Sequence, residues 1–186
     1  MVAEKALPFS GSALDFSQDF FSLFGLRPEF SIDSEALESA YIELQRQFHP
    51  DRFAAMQEHE RRVATQWSMR VNEGYRELKD DLSRAIYLLS LSGTELQENP
   101  VLPGDFLMTQ LELRESLEEI EQTKALSALD EFRRLIKSKI AERVHELNEC
   151  FETQQPDEAL KGIYALQFLK KLDLECRRLE DQWLDC

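Results

Sequence analysis

Two amphipathic helical patterns, interrupted by the polar tripeptide His49-Pro50-Asp51, restrict what this chain can fold into more than any other feature in it. Leu37, Tyr41, Leu44 and Phe48 recur at the spacing of one helix face, and so do Val63, Trp67, Val71, Tyr75 and Leu78. Two such helices joined by a short loop bury both stripes only by folding back as an antiparallel hairpin. Pro50 supplies the break, because it drives the preceding residue out of the α region and has no N–H to continue a helix. His49 and Asp51 are therefore predicted at the exposed tip of a helical hairpin. Such a place suits recognition by a partner better than chemistry in a closed pocket.

Little else in the 186 residues interrupts helices: there are 6 glycines, 6 prolines and 42% hydrophobic residues. An all-α protein of one domain or two small ones follows. The net charge of −14 is spread evenly, with 10 basic and 17 acidic residues up to position 99 and 12 and 19 beyond it. An even acidic balance argues against nucleic acid and against anionic membrane surfaces as partners. Cys150, Cys176 and Cys186 form no Cys-x-x-Cys pair, and His145 is five residues from Cys150, wrong for one helix face. Reduced thiols are expected, with no disulfide and no metal site. The opening MVAEKALPFSGSALD lacks the apolar core of a signal peptide, and no apolar run reaches transmembrane length. A cytoplasmic location is expected, and no cofactor.

Along the chain, residues 1–17 read as a flexible lead-in. Helices are predicted from Gln18 to Phe24, ending at Gly25; from a cap at Asp33 or Ser34 to Phe48; from Met56 to Lys79; and from Leu82 to Leu91, closing at Gly93. The breaker cluster Asn99-Pro100-Val101-Leu102-Pro103-Gly104 marks the best domain boundary, giving units of 18–93 and 105–186 with a linker of 94–104. Beyond it three helices are predicted, about 105–122, 126–154 and 157–183, which make a three-helix bundle.

The tripeptide, with an aromatic-rich helix ahead of it and the approach Gln45-Arg46-Gln47-Phe48, resembles the J-domain of DnaJ-type co-chaperones, over residues 18–92. That resemblance implies a protein that docks on an ATP-bound DnaK-type chaperone and biases it towards hydrolysis. His49, Pro50, Asp51, Arg46 and Arg52 are then the chaperone-binding residues, with Asp51 pairing with a basic residue of the partner, His49 orienting the loop and Pro50 stiffening it. One departure stands out. J-domains usually present a strongly basic second helix, whereas Ser34–Phe48 offers only Arg46 against Glu35, Glu38 and Glu43. A dedicated chaperone is expected, with Arg52 sharing the work. An acid–base role for His49 and Asp51 is rejected, because an exposed loop excludes no water and no nucleophile or oxyanion donors accompany them. No catalytic residue is assigned, and the chain is not expected to be an enzyme.

In the segment from Asp105, Leu113, Leu117 and Ile120 fall within about 40° of Phe106 at 100° per residue, one narrow core stripe. Leu107, Leu111 and Met108 fall about 100°, 140° and 200° away, on a different side. A helix apolar on two sides is either wedged between two layers or presents a binding surface. The run Phe106-Leu107-Met108-Thr109-Gln110-Leu111-Glu112-Leu113-Arg114-Glu115 is similar to the scaffold-binding segment of the HscB co-chaperones. Ser83-Arg84-Ala85-Ile86-Tyr87-Leu88-Leu89 and Phe20-Phe21-Ser22-Leu23-Phe24-Gly25-Leu26 match the same family in order, so the resemblance spans about 19–184. It implies a co-chaperone that stimulates an HscA-type ATPase and brings it IscU, the scaffold on which iron–sulfur clusters are assembled. Carried over by position, the scaffold-binding residues are Leu107, Met108, Leu111, Glu112, Arg114, Glu115 and Phe168. The alternative is a J-domain co-chaperone for a different client.

Overall fold

The computed structural model describes residues 16–53, 57–97, 100 and 102–184. Most of the expected lead-in lies outside them, as do Met56, Asn99, Val101 and Cys186. Among the described residues the fold is all-α, with helices α1 (Phe20–Leu23), α2 (Ser34–Phe48), α3 (Glu58–Lys79), α4 (Asp81–Leu91), α5 (Gly104–Thr123), α6 (Leu126–Glu152) and α7 (Pro156–Leu184), and one 3-10 turn, Pro50–Phe53. Gly25 and Gly93 close α1 and α4 with positive φ values of 67° and 82°, as their positions predict. The long helices α5 and α6 stop at non-glycine left-handed residues, Lys124 and Gln154.

The chain divides into two compact units. One comprises Met1–Pro28 with Ile32–Lys79, the other Glu29–Ser31 with Asp80–Cys186. In the first, α2 and α3 form an antiparallel hairpin. Tyr41 stacks on Tyr75 at 4.0 Å and Phe48 on Trp67 at 5.7 Å, so the pairing runs in opposite directions along the two helices. Asp33 caps α2 by accepting the Glu35 and Ala36 N–H groups. The short α1 carries Phe20, Phe21 and Leu23 into the core beneath α3. Gly74 is what permits that approach, since a Cβ there would meet the Phe20 ring at 2.6 Å.

In the second unit α5, α6 and α7 form the bundle. Leu113 and Leu117 of α5 meet Leu129, Phe132 and Ile136 of α6 and Leu169, Leu172, Cys176 and Leu179 of α7. The unit boundary differs from the one expected at the Pro- and Gly-rich stretch. It falls between Lys79 and Asp80, and α4 packs within the second unit against α7. The cause lies in side chains that carry no breaker signal. Arg84, buried, donates from Nε to the Phe30 carbonyl at 2.7 Å and from Nη2 to Asp81 at 2.5 Å. Its guanidinium lies over the Phe30 ring, which stacks in turn on Phe151 of α6.

Asp80 caps α4 by accepting the Ser83 N–H at 2.9 Å and pairs with Lys170 of α7. Burial pushes its carboxyl up, but the Lys170 ammonium and the Ser83 hydrogen bonds outweigh that and hold it below the ordinary 3.8. A lowered folded value means that the stabilisation is complete above 3.8 and disappears as the pH falls through the lower folded value. Asp80→Ala is therefore expected to cost about 1–2 kcal/mol at neutral pH, a half-exposed pair being screened by solvent. Chemical denaturation of both proteins at neutral pH and near pH 2 checks this, the difference between them shrinking in acid.

Candidate functional site

The tripeptide leaves α2 with an extended residue, His49 having φ −60° and ψ 128°, as the proline after it requires. The chain then tightens at once into the Pro50–Phe53 turn, where the Arg52 N–H donates to the His49 carbonyl at 3.0 Å. Two buried aromatics, Phe48 and Phe53, hold this turn from either side. Phe48 and Phe16 both stack on Trp67 of α3. The polar side chains between these anchors face water: His49 is 55% exposed and Asp51 91%. The Asp51 N–H donates to His49 Nδ1 at 3.4 Å, and the Asp51 carboxylate lies 3.6 Å from the same nitrogen. The imidazole thus folds back over its own loop.

Arg46 and Arg52 are exposed as well. Arg52 has a second task that the sequence does not disclose. Its Nη1 donates to the Arg46 carbonyl at 2.9 Å, which brings a positive charge to the C-terminal end of α2, where the helix dipole favours it. It braces the corner while leaving the rest of its guanidinium exposed.

In the second unit α5 separates its two apolar sides as the wheel predicts. Leu113 and Leu117 are buried, with Ile120 packed beside them. Leu107, Met108 and Leu111 are 49%, 57% and 50% exposed. Among the described residues no element of their own unit covers them, so this side of the helix is not wedged between layers of that unit. Glu112 and Glu115 are exposed next to them. Arg114 leans from α5 across to α7, where its guanidinium lies 5.7 Å from the centre of the Phe168 ring. Phe168 is half-buried at the margin of the core, so it belongs partly to the bundle and partly to this surface.

Sequence reasoning missed Glu175. Its carboxylate lies 3.8 Å from Arg114 Nη1 and holds the guanidinium beside Phe168. The signal was available: Glu175 follows Phe168 by seven residues, two turns along the same face of α7. Beneath α5, a cavity of about 450 Å³ is lined by Phe106, Leu113, Phe168 and Leu169 together with residues of α6.

Chemistry is sparse here. Cys150 and Cys176 are free thiols, and burial pushes both up, Cys176 to about 11, so neither is an activated nucleophile. Among the described residues no group of three or more His, Cys, Asp or Glu side chains is placed to hold a metal ion, and no helix is long and apolar enough to cross a membrane. What the geometry offers is two accessible surfaces, each supported by buried aromatic or aliphatic anchors.

Residues 102–177 match the family model described as the HSCB C-terminal oligomerisation domain. The chain is similar to the chaperone HscB from Vibrio cholerae, with 36% identity and a TM-score of 0.81, over 89% of this chain and 99% of that one. It is similar to the human co-chaperone protein HscB at 28% identity and a TM-score of 0.85, over 89% and 84% of the two chains. The Jac1 co-chaperone from Saccharomyces cerevisiae, at 23% identity and a TM-score of 0.69 over 88% and 95%, shares the fold.

Proposed function

The chain belongs to the HscB family of co-chaperones, and from that premise we propose that it stimulates the ATPase of a DnaK-type chaperone of the HscA class. It delivers to that chaperone the IscU-type scaffold of iron–sulfur cluster assembly, and so serves the maturation of iron–sulfur proteins. The cluster is cargo of the scaffold. The co-chaperone contributes no catalytic group of its own.

The observation that carries this reading is the coexistence of two open surfaces in two units of one chain: the corner that exposes His49 and Asp51, and the patch that exposes Leu107, Met108 and Leu111, each on a well-packed support. In this reading Asp51 reaches a basic residue of the ATP-bound chaperone, His49 sets the loop conformation, and Arg46 and Arg52 meet acidic groups of the same partner. Leu107, Met108 and Leu111 cover an apolar area of the scaffold, flanked by Glu112, Arg114, Glu115 and Phe168. Carrying both sites on one chain raises the effective concentration of client beside chaperone, which gains affinity without new contacts.

The experiment is a steady-state ATPase titration of an HscA-class chaperone with this protein, with and without an IscU-type scaffold. Stimulation by the protein alone, and a further rise when scaffold is added, is the expected result. A protein that stimulates the ATPase while calorimetry detects no binding to scaffold sinks the delivery half of the proposal. Absence of any stimulation sinks the whole.

A further inference from the structure

The cavity beneath α5 is enclosed by three helices of one unit, and its lining is mixed. Phe106 and Leu113 of α5 and Phe168 of α7 supply apolar walls. Leu113 is buried in the bundle core, whereas the Phe106 and Phe168 rings are only half-buried where they border this space. On the opposite side α6 and α7 touch. A Cβ on Gly162 would meet Leu147 Cδ2 at 2.9 Å, so the glycine is what allows that contact. The same Cβ would stand 3.8 Å from Arg143 Cδ. The arginine stem therefore lies against α7, and the residue lines the cavity.

Most of the charged groups around the cavity answer one another. Lys161 pairs with Glu158 at 2.7 Å, and Arg143 Nη1 pairs with Glu146. Glu142 accepts the Ser138 hydroxyl at 3.2 Å, and Asp105 accepts the Phe106 N–H at 2.9 Å. Two donors are left over. Arg143 Nε is buried without a hydrogen-bond partner among the described residues. Lys139, one turn earlier on the same face of α6, is half-buried, and its side chain forms no ion pair or hydrogen bond among them. A buried donor without an acceptor is costly, the more so when it carries charge. Such a group calls for an acceptor from outside the fold.

We infer that this cavity is a binding site for a small carboxylate with a slender apolar body, its head group on Arg143 and Lys139 and its body along Phe106, Leu113 and Phe168. Size and donor set select the occupant. About 450 Å³ lies in the range of small-molecule sites, whereas a docking helix is about 10–12 Å across. An extended peptide would bring N–H donors to a place whose leftover charged groups are both donors. A carboxylate brings acceptors alone and takes up both. Leu107, Met108 and Leu111 do not line the cavity, so the site is separate from the exposed patch, with Phe168 bordering both. It does not depend on what that patch binds.

The test titrates the full chain calorimetrically with decanoate, decan-1-ol and decylamine, each below the concentration at which it aggregates. Decanoate should bind one per chain, about tenfold tighter than the alcohol, with the difference shrinking as salt is added. Decylamine should bind most weakly. Arg143→Gln should bring decanoate down to the level of the alcohol while circular dichroism shows unchanged helicity. In wild type, decanoate should also slow alkylation of Cys150, a free thiol that borders the cavity. Any of four results overturns the site: no decanoate binding, equal affinity for acid and alcohol, wild-type affinity for decanoate in Arg143→Gln, or Cys150 alkylation that decanoate leaves unchanged. Should Arg143→Gln lose helicity, Lys139→Gln is read by the same criteria.

Discussion

Asp51→Asn is expected to abolish ATPase stimulation while the protein stays folded and keeps its affinity for scaffold. The side chain is 91% exposed and its only described ionic neighbour is the His49 imidazole at 3.6 Å, so the native fold gains well under about 1 kcal/mol from its charge. In a docked complex the same carboxylate is desolvated against a cation, and removing one member of such a pair costs about 2–5 kcal/mol. That corresponds to roughly 30-fold to several-thousand-fold in affinity for the productive complex. His49→Gln is expected to fail similarly, because the Asp51 N–H loses the Nδ1 acceptor that folds the imidazole over the loop. Paired ATPase assays and thermal melts decide the matter. If the midpoint falls by several degrees along with stimulation, the loss reflects folding, and the corner is not the docking element.

The second large effect lies in the other unit. Replacing Leu107, Met108 and Leu111 together by alanine should lower scaffold affinity by about 100-fold. Fully burying such a side chain contributes about 1.5–3 kcal/mol, but these three are about half-covered in the free protein. Part of the remainder is spent on ordering side chains at the interface. About 1 kcal/mol apiece survives, and three of these amount to roughly two powers of ten. Stability should hardly change, because no cavity opens in the core when an exposed side chain is shortened. Basal ATPase stimulation should persist and only the scaffold's added effect should vanish. Calorimetric titration with scaffold, read against the same titration of wild type, checks the number. Normal binding by the triple variant removes these residues from the client site.

The contrast between the two variants reflects how each surface is supported. The corner depends on Phe48 and Phe53, both buried, and on Arg52 reaching back to the Arg46 carbonyl. The patch depends on Leu113 and Leu117, which anchor α5 with the face opposite to the one it exposes. Support and recognition fall on different residues in both cases, so function can be removed without unfolding the protein.

Period and punctuation alone determined much of this protein. The 3.6-residue spacing of apolar side chains set the all-α class, and Gly25 and Gly93 closed helices within a residue or two of their predicted ends. The two-sided character of α5 was equally legible, because a wheel needs only the order of residues. So was the exposure of His49 and Asp51, since Pro50 leaves the backbone few alternatives. Tertiary structure alone decided where the units divide. The conspicuous breakers lie at residues 99–104, but the packing places α4 with the bundle through the buried Arg84, its acceptor on Phe30 more than fifty residues earlier, and the Asp80 pair with Lys170. It also decided that Glu175 holds Arg114 beside Phe168 and that Gln45 links α2 to α3 through Asn72. The physical reason is common to all of these. Periodicity reports which way a side chain faces on its own element, whereas a hydrogen bond, an ion pair or a ring contact between distant elements depends on where the second element comes to rest, which no local pattern encodes.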